Sequence, residues 1–296
     1  MIKSLHIDTG LDMRGGQWQV LQLVRGLAKR NVAARLLARG PLLDAALAEG
    51  LDATMLPNPF ALSTAVRGFD LIHAHDAKSH SWSAILRKPL VVSRRVAFPI
   101  RTGFVSAWKY RQATRFIAIS QAVKRELSVA GIPESKIDVV FDGVSIPARV
   151  IPYENRDIPR LALGTSDAMK GVDLAVASGL ELQFSHNLAD DVVRTKVLVY
   201  LSRNEGLGSA ALLASAHAVP VVASSVGGLV EAVEHEVTGL LVENDPAAIA
   251  AAVHRLEADP AWAAQLGQQG RERMQAMFTV DRMVDATIAS YKKALA

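Results

Sequence analysis

The chain has 296 residues, of which 50% are hydrophobic and 21% are charged, so it can bury a sizeable core and is not a disordered protein. It contains no cysteine, which excludes disulfides, thiolate nucleophiles, iron–sulfur clusters and Cys-type zinc sites. No apolar run is long enough to span a membrane, and Lys3, His6 and Asp8 interrupt the N-terminus too early for a signal peptide. We therefore expect a cytoplasmic protein.

The net charge of +4 is unevenly distributed. Residues 1–150 carry 21 Lys and Arg against 11 Asp and Glu, whereas residues 151–296 carry 12 against 18. A basic first half indicates an anionic partner, either a phosphorylated small molecule or the anionic inner face of the cytoplasmic membrane, and a merely solvated surface is the alternative. The chain has no helix-turn-helix, zinc-finger or RNA-binding pattern, so we expect no nucleic-acid partner.

Short apolar runs alternate with helical patterns in the first half of the chain. The predicted strands are residues 2–7, 34–37, 71–74, 90–93, 116–119 and 139–141. The predicted helices are residues 17–30, 77–86 and 121–130, and Gly131 and Pro133 end the last of them. This alternation predicts a parallel sheet with helices on both faces, in a domain over residues 1–148.

A proline-rich stretch with mixed charge predicts a linker over residues 149–159. A second alternation then predicts strands at residues 161–163, 180–184, 197–201, 220–223 and 238–242, with helices between and after them. The fold class is therefore α/β, with two Rossmann-like doubly wound domains, the second over residues 160–278. Open parallel sheets bind ligands beyond the carboxyl ends of their strands, so we expect both domains to face a central cleft.

Two glycine-rich segments stand where such domains bind ligands. Gly15 and Gly16 follow the first strand and open a helix, where backbone N–H groups can receive a phosphate or a sugar, although a tight turn would have the same sequence. The second half contains a longer succession after a predicted strand: Glu205-Gly-Leu-Gly208, Pro220-Val-Val-Ala223, Gly227-Gly228-Leu-Val-Glu231 and Thr238-Gly-Leu-Leu-Val242.

This succession resembles the C-terminal domain of the family 4 (group 1) glycosyltransferases of the GT-B fold. The first half is similar to the same family at Arg14-Gly15-Gly16, His73-Ala-His75 and Gly131-Ile-Pro133. The resemblance implies transfer of a sugar from a nucleotide-sugar donor, most commonly UDP-linked, with retention and without a metal or other cofactor. Together with the basic first half, it implies a cell-envelope saccharide or a lipid-linked acceptor. It also implies that the helix over residues 279–296 returns to the first domain.

The resemblance assigns Lys170 to the donor diphosphate and Glu205 to the hydroxyls of the donor sugar, the two catalytic candidates. A surface lysine and an ordinary helix-entry acid are the alternatives. The other implied donor-binding residues are Gly15, Gly16, Gly206, Leu207, Gly208, Gly228 and Glu231.

Histidines and arginines that follow two strands of the first domain are candidates for acceptor or phosphate contact: His73, His75, Arg94, Arg95 and Arg101. Strand alternation puts His73 and His75 on one face, and structural histidines are an equally good interpretation. The arginines concentrate positive charge on one loop, which a solvated basic loop near a membrane would also explain. No carboxylate spacing supports a metal site, so we expect none.

The sequence departs from the family pattern in the second half. Leu213 stands at the position of a second acid and Thr165 at that of an arginine, and only 34 residues separate Lys170 from Glu205. The second domain should therefore be reduced, and a homo-oligomer could cover the apolar surface left behind. A catalytically weakened binding or partner subunit and a nucleotide-sugar epimerase stay open as alternatives. We favour the transferase because Lys170, Glu205 and the glycine segments are present.

Overall fold

The computed structural model describes residues 1–100 and 103–296, and the chain divides into two compact units. Unit 1 comprises Met1–Gly143 and Val280–Ala296, and unit 2 comprises Val144–Thr279. None of the helices formed by the described residues combines the length and the hydropathy that crossing a bilayer requires.

Each unit contains one parallel sheet. The strands of unit 1 are β1 (Lys3–Ile7), β2 (Ala33–Ala38), β3 (Ala53–Met55), β4 (Leu71–Ala74), β5 (Leu90–Arg94), β6 (Arg115–Ala118) and β7 (Ile137–Val139). The strands of unit 2 are β8 (Ile158–Leu163), β9 (Gln183–Ser185), β10 (Thr195–Tyr200), β11 (Val221–Ser224) and β12 (Gly239–Val242).

Helices connect the strands along the chain. Those of unit 1 are α1 (Gly15–Ala28), α2 (Gly40–Ala48), α3 (Leu62–Ala65), α4 (Ala77–Ser83), α5 (Phe104–Gln112), α6 (Gln121–Val129) and α13 (Val280–Leu295). Those of unit 2 are α7 (Val172–Ala177), α8 (Leu188–Asp191), α9 (Ser209–Ala216), α10 (Leu229–Ala232), α11 (Pro246–Ala258) and α12 (Pro260–Met277).

The sheet of unit 1 has the strand order β3-β2-β1-β4-β5-β6-β7, and every pairing is parallel. The chain reverses its direction of strand addition between β1 and β4, so the loops that follow these two strands flank the crevice where doubly wound folds bind ligands. The last helix, α13, belongs to this unit. It packs closely on α1, because a Cβ atom added to Gly26 would lie 2.4 Å from Val284 Cγ2.

The sheet of unit 2 has the order β12-β11-β10-β8-β9, again with parallel pairings. Its direction of strand addition reverses between β8 and β10, which places the loops carrying Lys170 and Glu205 on the two sides of the reversal point. The sheet has five strands. Between α7 and β9, Leu180 and Leu182 pack against the core from outside any regular element.

The predicted linker over residues 149–159 lies within unit 2 and packs against it. Arg156 within it is buried and donates hydrogen bonds to the carbonyl oxygens of Thr195, His217 and Ala218, at 2.9 to 3.2 Å. Burial lowers the pKa of Arg156 to about 10. The segment is held against unit 2 because these carbonyl groups need donors, and β8 already begins at Ile158.

Candidate functional site

Lys170 and Glu205 meet at the carboxyl ends of β8 and β10. Lys170 ends a short 3₁₀ turn, Ala168–Lys170, which Asp167 caps by accepting a hydrogen bond from the Met169 N–H. Its Nζ donates to Glu205 Oε2 at 2.5 Å, and the two side chains are 26% and 14% exposed. Both catalytic candidates from the sequence thus lie side by side, partly shielded from water.

Tyr200, the last residue of β10, is a third member of this cluster that the sequence analysis missed. Its hydroxyl donates to Glu205 Oε2 at 2.6 Å and accepts from Lys170 Nζ at 3.2 Å. The side chain is buried, and burial together with the neighbouring Glu205 carboxylate raises its pKa well above the ordinary value. Tyr200 therefore acts as a neutral donor that holds one oxygen of Glu205 in place.

The hydrogen bonds within this cluster leave one donor position and one acceptor position for a ligand. Among the described residues, the Lys170 ammonium donates to Glu205 and Tyr200, so one of its three N–H groups remains for a phosphate oxygen. Glu205 Oε2 is occupied twice, whereas Oε1 accepts only from the Gly206 N–H, at 3.2 Å, among those residues. Glu205 can therefore accept a further hydrogen bond from a hydroxyl group through Oε1.

The glycines of this region bring two loops together. A Cβ atom on Gly228 would lie 2.0 Å from the Gly206 carbonyl oxygen, and one on Gly227 would lie 2.2 Å from the Glu205 carbonyl oxygen. Gly227 also has φ of +52°, and the Gly228 N–H donates to the Glu205 carbonyl at 2.9 Å. The glycine pair is thus required by backbone packing that fixes the peptide carrying Glu205.

Several implied donor-binding residues are buried. The side chain of Leu207 is 1% exposed and lies in the core, so only its backbone could contact the donor, as the resemblance implies for Gly206 to Gly208. Gly206, Gly208 and Gly228 are buried as well. Glu231 lies in α10, where its carbonyl oxygen accepts from Arg273 Nη2 at 2.9 Å.

In unit 1, Gly15 and Gly16 begin α1 beside the loop after β1. Asp8 in that loop accepts hydrogen bonds from the Gly10 N–H at 2.8 Å and from Gln17 Nε2 at 3.1 Å. Burial raises the pKa of Asp8, although both of these hydrogen bonds oppose the shift. A Cβ atom on Gly16 would lie 3.5 Å from Arg95 Cδ, an ordinary contact, so the first turn of α1 runs alongside Arg95.

His73 of β4 and His75, which follows that strand, form a buried cluster with His6 of β1. Both ring nitrogens of His73 form hydrogen bonds. Nδ1 bonds with Tyr291 Oη at 2.7 Å, and Nε2 bonds with Ser93 Oγ at 2.8 Å. His6 and His75 join through Nδ1 and Nε2 at 3.0 Å. The rings of His73 and His75 lie 4.0 Å apart on one face, as strand alternation predicts. His73 is fully buried with both nitrogens engaged, which corrects its assignment to acceptor contact.

Nitrogen atoms of His6, His73 and His75 lie within 4.8 Å of one another, a spacing that three neutral imidazoles could offer to a metal ion. A metal would have to replace the hydrogen bonds of His73 with Tyr291 and Ser93 and that between His6 and His75. The cluster is therefore organised as a hydrogen-bond network. Burial lowers the pKa of His6 to about 3 and those of His73 and His75 well below the ordinary value, so the three rings are neutral at pH 7.

Arg94, the last residue of β5, and Arg95 border a cavity of about 240 Å³. Arg95 forms an ion pair with Asp142, and Arg94 donates to Tyr110 Oη at 3.1 Å and to the Phe98 carbonyl. His75 also lines this cavity. The fifth candidate for acceptor contact, Arg101, lies outside the described residues.

Sequence comparison places both units in one family. The profile described as Glycosyltransferase Family 4 matches residues 13–146, and the profile described as Glycosyl transferases group 1 matches residues 182–273. The chain belongs to the group 1 glycosyltransferases. The second match includes Glu205 and Gly228, whereas Lys170 precedes it.

Individual relatives match parts of this chain. A D-inositol 3-phosphate glycosyltransferase of Salinispora arenicola is 37% identical over 136 residues, 46% of this chain and 28% of that protein. An alpha-maltose-1-phosphate synthase of Mycolicibacterium smegmatis is 35% identical over 46% of this chain and 38% of its own length. The aligned region therefore spans well under half the length of these relatives.

Solved glycosyltransferase structures share the fold over nearly the whole chain. Anabaena Alr3699/HepE in complex with UDP and glucose has a TM-score of 0.85 and 17% identity, covering 99% of this chain and 100% of that one. The sucrose-phosphate synthase of Thermosynechococcus elongatus has a TM-score of 0.79 and 20% identity, covering 99% of both chains. At these identities the likeness establishes the two Rossmann-like units of the GT-B fold.

Proposed function

We propose that this chain transfers a glycosyl group from a UDP-linked sugar to a cell-envelope saccharide or lipid-linked acceptor, with retention and without a metal. The cluster of Lys170, Tyr200 and Glu205 carries the proposal. A diphosphate leaving group gains negative charge in the transition state, which the Lys170 ammonium would stabilise. Glu205 Oε1 would accept a hydroxyl of the donor sugar. The UDP and glucose named for Anabaena HepE support this donor class.

The acceptor class is supported by the surface of unit 1. Helix α5 exposes Phe104 and Val105, which are 87% and 76% exposed, and carries Lys109 and Arg111 in its last turn. Apolar side chains beside basic ones suit the interface of an anionic membrane, where lipid-linked acceptors reside. Contact with the inner face of the cytoplasmic membrane is therefore part of the proposal.

Replacing Lys170 by Ala should weaken the binding of a nucleoside diphosphate by about 10- to 100-fold, because one charge-assisted hydrogen bond to phosphate is lost. Calorimetric titration with UDP, GDP and ADP and with their common sugar conjugates measures this effect without knowledge of the acceptor. Lys292→Ala removes the same charge from an exposed position of α13 and should bind like the parent protein.

Saturable binding of one nucleotide that Lys170→Ala weakens supports the transferase. A folded protein that binds none of these nucleotides or sugar conjugates would contradict the proposal. The partner-subunit alternative would then be favoured, because Leu213 occupies the position of the second acid of the family pattern.

Tyr200→Phe should lower kcat/KM for the donor about fivefold, since it removes one hydrogen bond that orients Glu205 while the Glu205 charge and the ring packing remain. Because Tyr200 does not bind the diphosphate in this proposal, the affinity for UDP alone should stay within twofold. A Tyr200→Phe variant that loses UDP affinity and turnover equally would show that Tyr200 has a general structural role.

A further inference from the structure

The cavity beside β5 in unit 1 combines apolar walls with cationic side chains. Val92, Tyr110 and Phe116 supply apolar surface, and the rings of Tyr110 and Phe116 stack with centroids 5.5 Å apart. Arg94 and Arg95 supply the charges. The volume of about 240 Å³ exceeds the roughly 150 Å³ that suffices for a benzene ring in a protein interior.

Three residues that line this cavity carry buried nitrogen atoms that no partner satisfies. Within residues 1–100 and 103–296, the Nε atoms of Arg94 and Arg95 and the Nδ1 atom of His75 have no hydrogen-bond partner. Native structures satisfy nearly all of their buried polar groups, and an arginine Nε–H can only donate, so the Nε atoms of Arg94 and Arg95 point to a ligand that accepts hydrogen bonds. His75 Nδ1 donates or accepts according to the tautomer of the ring.

The charge around the cavity favours an anion. Arg95 is paired with Asp142, but Arg94 has only neutral hydrogen-bond partners among the described residues. Asp76 also lines the cavity, yet its carboxylate is already occupied by the Thr9 N–H and hydroxyl and by the backbone N–H groups at the start of α4. Lys109 lies close enough to Arg94 for the two charges to repel each other. An unpaired guanidinium in a partly buried site is best satisfied by an oxyanion.

We infer that this cavity binds an oxyanion, phosphate or carboxylate, that is attached to an apolar group. Arg94 and Arg95 hold the oxyanion, and the apolar group lies against Tyr110 and Phe116. If the ligand is part of the acceptor, which rests on the proposed function, the acceptor is an anionic molecule with an apolar body. The binding itself does not depend on that function.

Titration of the full chain with small probes tests the inference. Phenyl phosphate and benzoate carry both features, inorganic phosphate lacks the apolar group, and benzyl alcohol lacks the charge. We expect saturable binding of phenyl phosphate or benzoate, at least tenfold tighter than that of inorganic phosphate or benzyl alcohol. The tighter of the two anions identifies the oxyanion. Nitrogen-15 NMR of the arginine Nε–H groups should show the Arg94 and Arg95 signals shifting with the same affinity.

Arg94→Gln should weaken the binding of the anionic probe at least tenfold, and Arg94→Lys, which keeps the charge without the planar fork, should weaken it less. Arg125→Gln, an exposed site on α6, should have no effect. The inference is overturned if neither anionic probe binds the folded parent protein, if benzyl alcohol binds as tightly as phenyl phosphate, or if the Arg94 and Arg95 signals do not move. UDP titration of the same samples reports on the donor site separately, so failure of one proposal is distinguishable from failure of the other.

Discussion

Replacing Glu205 by Gln should lower kcat/KM for the nucleotide-sugar donor about 100- to 1,000-fold. The charge on Glu205 strengthens its hydrogen bond to a sugar hydroxyl, and the substitution also removes the counter-charge that holds Lys170 at 2.5 Å. The free energy of unfolding should fall by only about 1–2 kcal/mol, because Lys170 stays partly in contact with water. Turnover is measured as release of the nucleotide from the donor that binds in the calorimetric titration.

In the same variant, the affinity for the UDP part of the donor and the additional affinity from its sugar should respond differently. Glu205→Gln should keep most of its affinity for UDP while losing the additional affinity that the sugar provides. Glu272→Gln removes the same charge from an exposed position on α12 and should retain full turnover. A folded Glu205→Gln protein whose turnover stays within threefold of the parent value would remove Glu205 from the proposed mechanism.

The strands that the sequence predicted best are those buried on both faces. β1 and β4 lie in the centre of their sheet, where the apolar residues Leu5, Ile7, Leu71 and Ile72 are buried. These residues locate the strands although the buried polar residues Ser4, His6 and His73 stand among them. β3 was missed because it is a three-residue edge strand with largely exposed side chains. α2 was missed because its sequence, GPLLDAALA, is apolar around most of the helix and shows no clear period of 3.6.

The catalytic candidates Lys170 and Glu205 were identified through the family resemblance, and 34 residues separate them in the sequence. Lys170 and Glu205 follow two strands that flank the reversal point of their sheet, and this topology brings them together. Tyr200 was missed because in the sequence it is the final apolar residue of a predicted strand. Only the fold shows that its hydroxyl donates a hydrogen bond to Glu205. The contact of the loop glycines with the donor stays a prediction. At Gly227 and Gly228 the structure supplies a second reason for glycine, because a Cβ atom there would collide with the backbone of Glu205 or Gly206.

Unit 1 should lose its fold at a mildly acidic pH at which unit 2 remains folded. Burial is the main reason that the pKa values of His6 and His80 fall to about 3 and those of His73 and His75 fall well below the ordinary value. Between about pH 6.5 and the lowered values, the unfolded chain binds protons that the native unit does not. The free energy of unfolding therefore decreases as the pH falls below about 6.5.

The size of this effect follows from the number of protons. Each such histidine removes at most about 1.4 kcal/mol per pH unit, so four remove at most about 6 kcal/mol per unit, comparable with the whole stability of a small domain. Asp8 acts in the opposite direction, because burial raises its pKa and the native unit binds that proton first. Within the described part of unit 2, His217 is the one histidine with a clearly lowered pKa, again mainly through burial.

Tryptophan fluorescence can follow unit 1 alone, since three of the four tryptophans, Trp18, Trp82 and Trp108, lie there and Trp262→Phe removes the fourth. Urea unfolding of that protein should show a free energy of unfolding that falls from pH 7.5 to pH 6 and pH 5. The slope of this free energy against pH should correspond to the uptake of several protons on unfolding. His75→Gln should reduce the slope by about one proton, and His254→Gln, on the exposed side of α11, should leave it unchanged.

A free energy of unfolding that is the same at pH 7.5 and pH 5 would show that the buried histidines take up protons without loss of the fold. The native cluster would then have to accept charge in contact with Tyr291, which ties α13 to the sheet through His73.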